Sequence, residues 1–279
     1  MTSFGELLPG VLARFGRLCV GIDPHAALLA AWGLPDSAAG VREFGLRVVD
    51  ATAGRAAIVK PQVAFFERHG SAGYAALETV LAEARAADLV VIADVKRGDI
   101  GTSVDAAGEA WLQPGSPLEV DAMTAVAYQG FGSLDPVFDR ARRHGKGVFV
   151  LAATSNPEGT ANQRALRADG RTVAGGIVAD AAYRNGAAVP GALGSVGVVL
   201  GATVALADSG IDPSVLSRTP ILAPGFGHQG ARIADGPAIF GDLAQNVLVS
   251  VSRSILQAGP DGVAESIGRA AGEVATWAR

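Results

Sequence analysis

The stretch Val90-Val91-Ile92-Ala93-Asp94-Val95-Lys96-Arg97-Gly98-Asp99-Ile100-Gly101-Thr102-Ser103 decides how the rest of the chain is read. It opens as a run of apolar, mostly β-branched residues, the composition of a strand buried on both faces. Charge arrives at the strand's end. Asp94 and Lys96 are two apart, so on a strand they point to the same side. Asp99 follows one short turn later, where Gly98 lets the chain bend sharply. An anion, a cation and a second anion thus gather at the C-terminal tip of a buried strand. Barrel and open-sheet α/β proteins carry their active sites at such tips. The plainer alternative is an ion-pair network that only caps the strand, set against the high cost of burying poorly paired charges.

Working outward, with this strand taken as 89–96, seven further short apolar runs read as strands: 18–23, 57–60, 119–125, 147–155, 195–201, 220–224 and 247–252. Helical segments are expected at 37–53, 71–87, 100–112, 133–144 and 172–184. A lead-in helix at 3–15 with Ser3 as N-cap precedes them, and a closing helix at 261–279 packs Val263, Ile267, Val274 and Trp277. The polar stretch 156–170 and the Gly- and Pro-bearing 187–194 read as loops. Eight strands among helices predict an α/β fold, a (β/α)8 TIM barrel, as one domain over 1–279. The length agrees with the usual ~250 residues of that fold. A doubly wound dinucleotide fold is poorly supported, because no Gly-x-Gly-x-x-Gly follows the first strand.

Composition narrows the function. Hydrophobic residues make up 49% and charged residues 18%, enough apolar material for a sizeable core. The net charge is −4 with no basic block, so neither nucleic acid nor an anionic membrane is an expected partner. A phosphate ligand must then be held by local groups rather than by the overall field. The single Cys19 excludes an intrachain disulfide, fits a reducing cytoplasm, and reads as a small core residue. Residues 1–17 have mixed charge and do not form a signal peptide. The longest apolar run, 196–207, is broken by Gly and Thr and falls short of the ~20 residues that span a bilayer. A soluble cytoplasmic protein is expected.

Polar groups end most of the strands: Asp23, Lys60, Asp94 with Lys96, Thr124, Ser155, Gln229 and Arg253. In a closed barrel these tips converge on one mouth. The run Gly225-Phe226-Gly227-His228-Gln229-Gly230 offers unhindered backbone N–H groups, and Arg253 offers a fork of donors after the eighth strand. Barrels often bind phosphate between the loops after strands seven and eight. The histidines His25, His69, His144 and His228 show no metal-ligand spacing and read as loop or surface residues.

These motifs resemble the orotidine 5′-phosphate decarboxylase family. The resemblance rests on Asp94-x-Lys96-x-x-Asp99-Ile100, on Gly21-Ile22-Asp23-Pro24 and on Val59-Lys60-Pro61-Gln62. Ala153-Thr154-Ser155-Asn156-Pro157, the 224–230 glycine-rich run and Arg253 complete it in order, and the Lys-Arg-Gly-Asp-Ile form resembles one bacterial branch. The resemblance implies conversion of orotidine 5′-phosphate to uridine 5′-phosphate and CO2 in pyrimidine biosynthesis, by a homodimeric barrel needing no metal or cofactor. It implies Lys96 as proton donor, with Lys60, Asp94 and Asp99 completing a charged array and Asp99 entering the partner's site. Asp23 would bind ribose hydroxyls and Ser155 the pyrimidine. Gln229, Gly230 and Arg253 would bind phosphate, Thr124 would add a substrate contact, and Ser103 would lie beside the partner's ribose or base. Two departures stand out. Ser252 replaces a glycine common before the phosphate arginine, and the 154–159 loop differs enough that the base contact could fall on Thr154. Two other readings stay open: a phosphosugar aldolase or epimerase on a related barrel, and a non-catalytic nucleotide-binding barrel. A Schiff-base aldolase would use Lys60 or Lys96 as nucleophile, but neighbouring carboxylates keep such an amine charged.

Overall fold

All eight apolar runs form parallel strands that close on themselves in sequence order. They are β1 (Leu18–Ile22), β2 (Ile58–Pro61), β3 (Val90–Arg97), β4 (Ala122–Ala125), β5 (Gly147–Ala153), β6 (Val196–Leu200), β7 (Ile221–Ala223) and β8 (Val247–Val251). The last strand meets the first through Leu18 opposite Val249 and Cys19 opposite Ser250. This computed structural model describes residues 2–189 and 191–278.

Side-chain alternation sorts each strand into two apolar layers. Val20, Val59, Val91, Val148 and Val249 belong to the layer under the helices. Cys19, Ile58, Ile92, Phe149, Leu222 and Leu248 belong to a second cluster that fills the barrel. The helix Phe4–Phe15 seals the lower end of that cluster. It starts where a capping box demands: Ser3 Oγ accepts the Glu6 N–H, and the Glu6 carboxylate accepts the Ser3 N–H at 2.7 Å. Its buried stripe of Phe4, Leu8 and Leu12 joins the interior. Phe4 meets Phe149 edge to face at 5.9 Å, in space that a Cβ on Gly147 would occupy. Inward side chains are therefore dry and apolar at the bottom of the barrel, and polarity is confined to the top.

The long helices lie where periodicity places them, five with ends moved by a residue or two: Ala38–Thr52, Gly70–Ala86, Gly101–Leu112, Asp135–His144 and Val173–Asn185; the closing helix, expected at 261–279, runs Gly259–Ala275. Regular alternation lapses late in the chain. Only the 3-10 turns Ala207–Ser209 and Pro213–Leu216 bridge β6 to β7, and a short helix, Gly236–Phe240, lies between β7 and β8. Five short helices escape the sequence pattern: Ala26–Ala31, Ala64–Glu67, Gly159–Gln163, Gly236–Phe240 and Arg253–Leu256. Each spans under two turns, too few for an amphipathic period to register. The closing helix buries Val263, Ile267 and Val274. Trp277 follows it in a 3-10 turn and donates its indole N–H to the Ile233 carbonyl at 2.9 Å. Arg279, expected at the end of that helix, lies outside the described residues, as do Pro190 of the 187–194 loop and Met1. Cys19 is fully buried, and burial pushes its thiol up to about 12. Among the described residues no helix is long and apolar enough to cross a membrane.

Candidate active site

The polar mouth is built by continuing the inward rows upward. Ile58 is followed by Lys60, Ile92 by Asp94 and Ala122 by Thr124, each two residues on. Lys60 and Asp94 are nearly buried, 6% and 9% exposed. Lys60 Nζ lies 3.0 Å from Asp94 Oδ2, and Lys96 Nζ lies 2.7 Å from Asp94 Oδ1. Thr124 donates its hydroxyl to Asp94 Oδ1 at 2.9 Å. Burial alone would raise the Asp94 carboxyl, but the two ammonium groups overcome it and hold the carboxyl well below the usual range. Burial likewise opposes charge on Lys60, and the Asp94 and Asp23 carboxylates reverse the effect, so its ammonium is held above the usual lysine range.

Lys96 does not continue the strand regularly. The β3–β4 register shifts between Ala93 and Arg97, and Lys96 takes a left-handed φ of +47°. This bulge leaves the Lys96 side chain 43% exposed beside its carboxylate, whereas Lys60 is enclosed.

A cavity of about 590 Å³ opens above the array. Of the residues expected from sequence, Asp23, Lys60, Asp94, Lys96, Thr124, Gln229 and Arg253 line it. Asp23 Oδ1 is buried and has no hydrogen-bond partner among the described residues, an acceptor facing a site with nothing donated to it. The Arg253 side chain, at the start of the turn after β8, also pairs with nothing among the described residues. Ser252 lines the same wall. Its side chain is seated over Gly21 of β1, where a Cβ would collide with its hydroxyl. In the glycine-rich loop, Gly225 and Gly227 hold φ of +114° and +74°, values that require glycine.

Four expected residues stand elsewhere. Gly230 is exposed and donates its N–H to the Gly227 carbonyl at 2.9 Å, so it closes the turn and does not line the cavity. Ser155 is displaced by a second bulge. Phe149 and Leu151 point inward, and strict alternation would bring Ser155 to the same face, but the β5–β6 register shifts between Leu151 and Ala153. Thr154 lines the cavity instead, and both residues line a smaller neighbouring one. Gln163 braces Thr154, accepting its backbone N–H at 3.0 Å and donating to its hydroxyl at 2.6 Å. Asp99 and Ser103 are exposed and lie outside their own chain's cavity. Asp99 Oδ1 accepts the Ile100 N–H at 2.8 Å. Thr124 lines the cavity as expected, and its one hydroxyl proton is donated to Asp94.

Sequence reading missed His25, Gln62 and Phe65, which also line the cavity. His25 stands in the loop after β1, half-buried. Its Nδ1 accepts the Leu28 N–H at 3.4 Å and caps the helix Ala26–Ala31, so the neutral ring carries its proton on Nε2. Burial first and then Arg253 depress its pKa against the opposing pull of Asp23. The available signal was its place two residues beyond a strand-ending acid. Among the described residues, no group of three or more His, Cys, Asp and Glu is arranged to hold a metal ion.

Fold and mouth together define a TIM-barrel enzyme with ammonium and carboxylate groups fixed at one cavity. Residues 16–267 match the family described as "Orotidine 5'-phosphate decarboxylase / HUMPS family". An orotidine 5′-phosphate decarboxylase of Salinispora arenicola is 51% identical over 261 residues, covering 94% of this chain and 92% of that protein. One from Streptomyces coelicolor is 51% identical over 262 residues, with coverage of 94% and 92%. A crystal structure from Streptomyces avermitilis, assigned to the same activity, superposes with a TM-score of 0.93 at 47% identity, covering 99% of this chain and 96% of that one. The Leishmania donovani OMP decarboxylase structure gives 0.73 at 31% identity, covering 98% and 99%. The chain belongs to the orotidine 5′-phosphate decarboxylase family, and the aldolase or epimerase reading is not favoured.

Proposed function

We propose that the chain decarboxylates orotidine 5′-phosphate to uridine 5′-phosphate in pyrimidine biosynthesis, with Lys96 as the proton donor. The observation that carries the reading is an ammonium, Lys96 Nζ, held 2.7 Å from a buried carboxylate at a cavity wall. Breaking the bond between C6 and the carboxylate releases CO2 and leaves the electron pair on C6, where the ring delocalises it poorly. A fixed ammonium aimed at C6 stabilises that charge and then transfers its proton to it. Asp94 accepts from Lys96 Nζ and holds it in place, and Lys60 pairs with the second carboxylate oxygen. Lys60, whose ammonium the neighbouring carboxylates hold above the usual lysine range, is a poor Schiff-base nucleophile.

The remaining roles follow the cavity. The unpartnered Asp23 Oδ1 suits ribose hydroxyls, which bring donors. Thr154 or Ser155 faces the pyrimidine. Arg253 and Gln229 hold the phosphate, with the glycine-rich turn closed by Gly230 behind them. Phosphate contacts are remote from the bond broken, and their binding energy organises the loops for the chemical step.

Asp99 and Ser103 act in the site of a second copy of the chain. Asp99 lies beyond its own cavity, and the next residue, Ile100, leaves its apolar side chain 61% exposed. The working unit is thus a cytoplasmic homodimer, each chain one barrel domain. The test is the loss of orotidine-ring absorbance when purified, chelator-treated protein meets orotidine 5′-phosphate. Turnover without added metal is expected. Activity that vanishes with chelator and returns with a divalent ion would overturn the mechanism.

A further inference from the structure

Lys96 and Asp88 are the two non-glycine residues with positive φ among the described residues. Left-handed backbone is disfavoured for a side chain such as lysine, and it persists only where the surroundings enforce it. At Lys96 the enforcing group is a side chain. Its N–H donates to Thr124 Oγ1 at 2.9 Å, where the bulge has broken the regular ladder between β3 and β4. The Thr124 hydroxyl in turn donates to Asp94 Oδ1 at 2.9 Å, and that same oxygen accepts from Lys96 Nζ at 2.7 Å. The chain of contacts closes on itself, from the backbone of Lys96 through Thr124 and Asp94 to the side chain of Lys96.

Thr124 is 1% exposed, so water has little access to its hydroxyl to replace these partners. Its single proton goes to the carboxylate and a lone pair receives the amide. Were Lys96 to relax to an ordinary strand conformation, the amide would leave Thr124 and the ammonium would be re-aimed. A valine of the same branched shape would fill the strand position but could hold neither partner.

We infer that Thr124 is a positioning residue: its hydroxyl clamps the Lys96 bulge to Asp94 and so sets the aim of the Lys96 ammonium into the cavity. The inference rests on the reading of Lys96 as proton donor.

The test compares Thr124→Val, which removes the hydroxyl and keeps the shape, with Thr124→Ser, which keeps the hydroxyl and removes the methyl. For each, kcat and KM for orotidine 5′-phosphate and the Tm are measured. A misaimed donor lowers kcat in the valine variant by about 100-fold with KM nearly unchanged, while the serine variant retains most of the wild-type kcat. Wild-type kcat in the valine variant overturns the inference. Equal loss in both variants does so too, since it would trace the effect to packing. A rise in KM alone would make Thr124 a substrate contact instead. If the valine variant does not fold, Thr124→Ser against Thr124→Ala gives the same comparison at smaller volume, and serine must be the faster. Lys96→Ala is assayed alongside. Retained turnover there would remove the donor reading itself, a failure distinct from any result at Thr124.

Discussion

Lys60 Nζ and Asp94 Oδ2 face each other at 3.0 Å with both side chains nearly enclosed, directly above the apolar filling of the barrel. A buried pair of this kind adds little net stability over an apolar replacement, but removing one member strands the other charge. Asp94→Asn is therefore expected to cost about 3–5 kcal/mol in urea unfolding, and Lys60→Met less, because Asp94 keeps Lys96 as a partner. The pH dependence follows in sign. The Asp94 carboxyl is depressed in the folded protein, so its contribution is complete above the ordinary aspartate value of 3.8 and is lost as pH falls below it toward the folded value. Wild type should lose stability faster than Asp94→Asn over that acid range. Parallel stability curves would refute the assignment.

Lys96→Ala removes the exposed ammonium while leaving the buried pair intact. Turnover should fall by many orders of magnitude, while calorimetry shows that uridine 5′-phosphate still binds. Nearly unchanged turnover would move the proton donor elsewhere, with Lys60 the next amine in the cavity.

Arg253 lines the cavity with its guanidinium free of protein partners among the described residues. Arg253→Ala should weaken the nucleotide by ~2 kcal/mol, roughly 30-fold, the scale of a hydrogen bond to a charged group. The phosphate-free nucleoside should hardly change. Equal losses for both ligands would make Arg253 structural.

Asp99→Ala tests the shared site. Asp99 stands past Gly98, whose missing Cβ lets the chain pass flat against the Val126 carbonyl, and it lies outside its own cavity. Lys96→Ala and Asp99→Ala proteins should each be nearly inactive alone. In a mixed dimer one site carries both defects and the other neither. With random pairing half the dimers are mixed, so activity should return to about a quarter of wild type after subunit exchange. Homodimers cross-linked before mixing should stay inactive. If exchange is demonstrated and activity does not return, Asp99 serves its own chain.

Most of the fold was legible because it is written in short-range periods. Alternation along eight apolar runs, Ser3 as an N-cap and the polar groups at most strand ends are local patterns, and the closed barrel realises them. Asp23, Lys60, Asp94, Lys96, Gln229 and Arg253 converge on one cavity for the same reason: strand tips of a closed parallel sheet share a rim. Family motifs along the chain added the chemistry.

What alternation could not reveal lies at the bulges and in the loops. Counting by twos from Leu151 arrives at Ser155, yet the shift between β5 and β6 turns Thr154 to the main cavity. Counting by twos from Asp94 arrives at Lys96 without disclosing its left-handed turn or the Thr124 hydroxyl that holds it. His25 was legible as a residue but not as a wall of the site, because the short helix it caps is too brief to leave a pattern. The amino-acid sequence by itself determined the strands, their inward and outward faces and the set of charged groups at the mouth, since these follow from the order of neighbours along one chain. Only the tertiary structure decided which of those groups touch, because a bulge is a mismatch in length between two strands, and register exists only once both strands are paired.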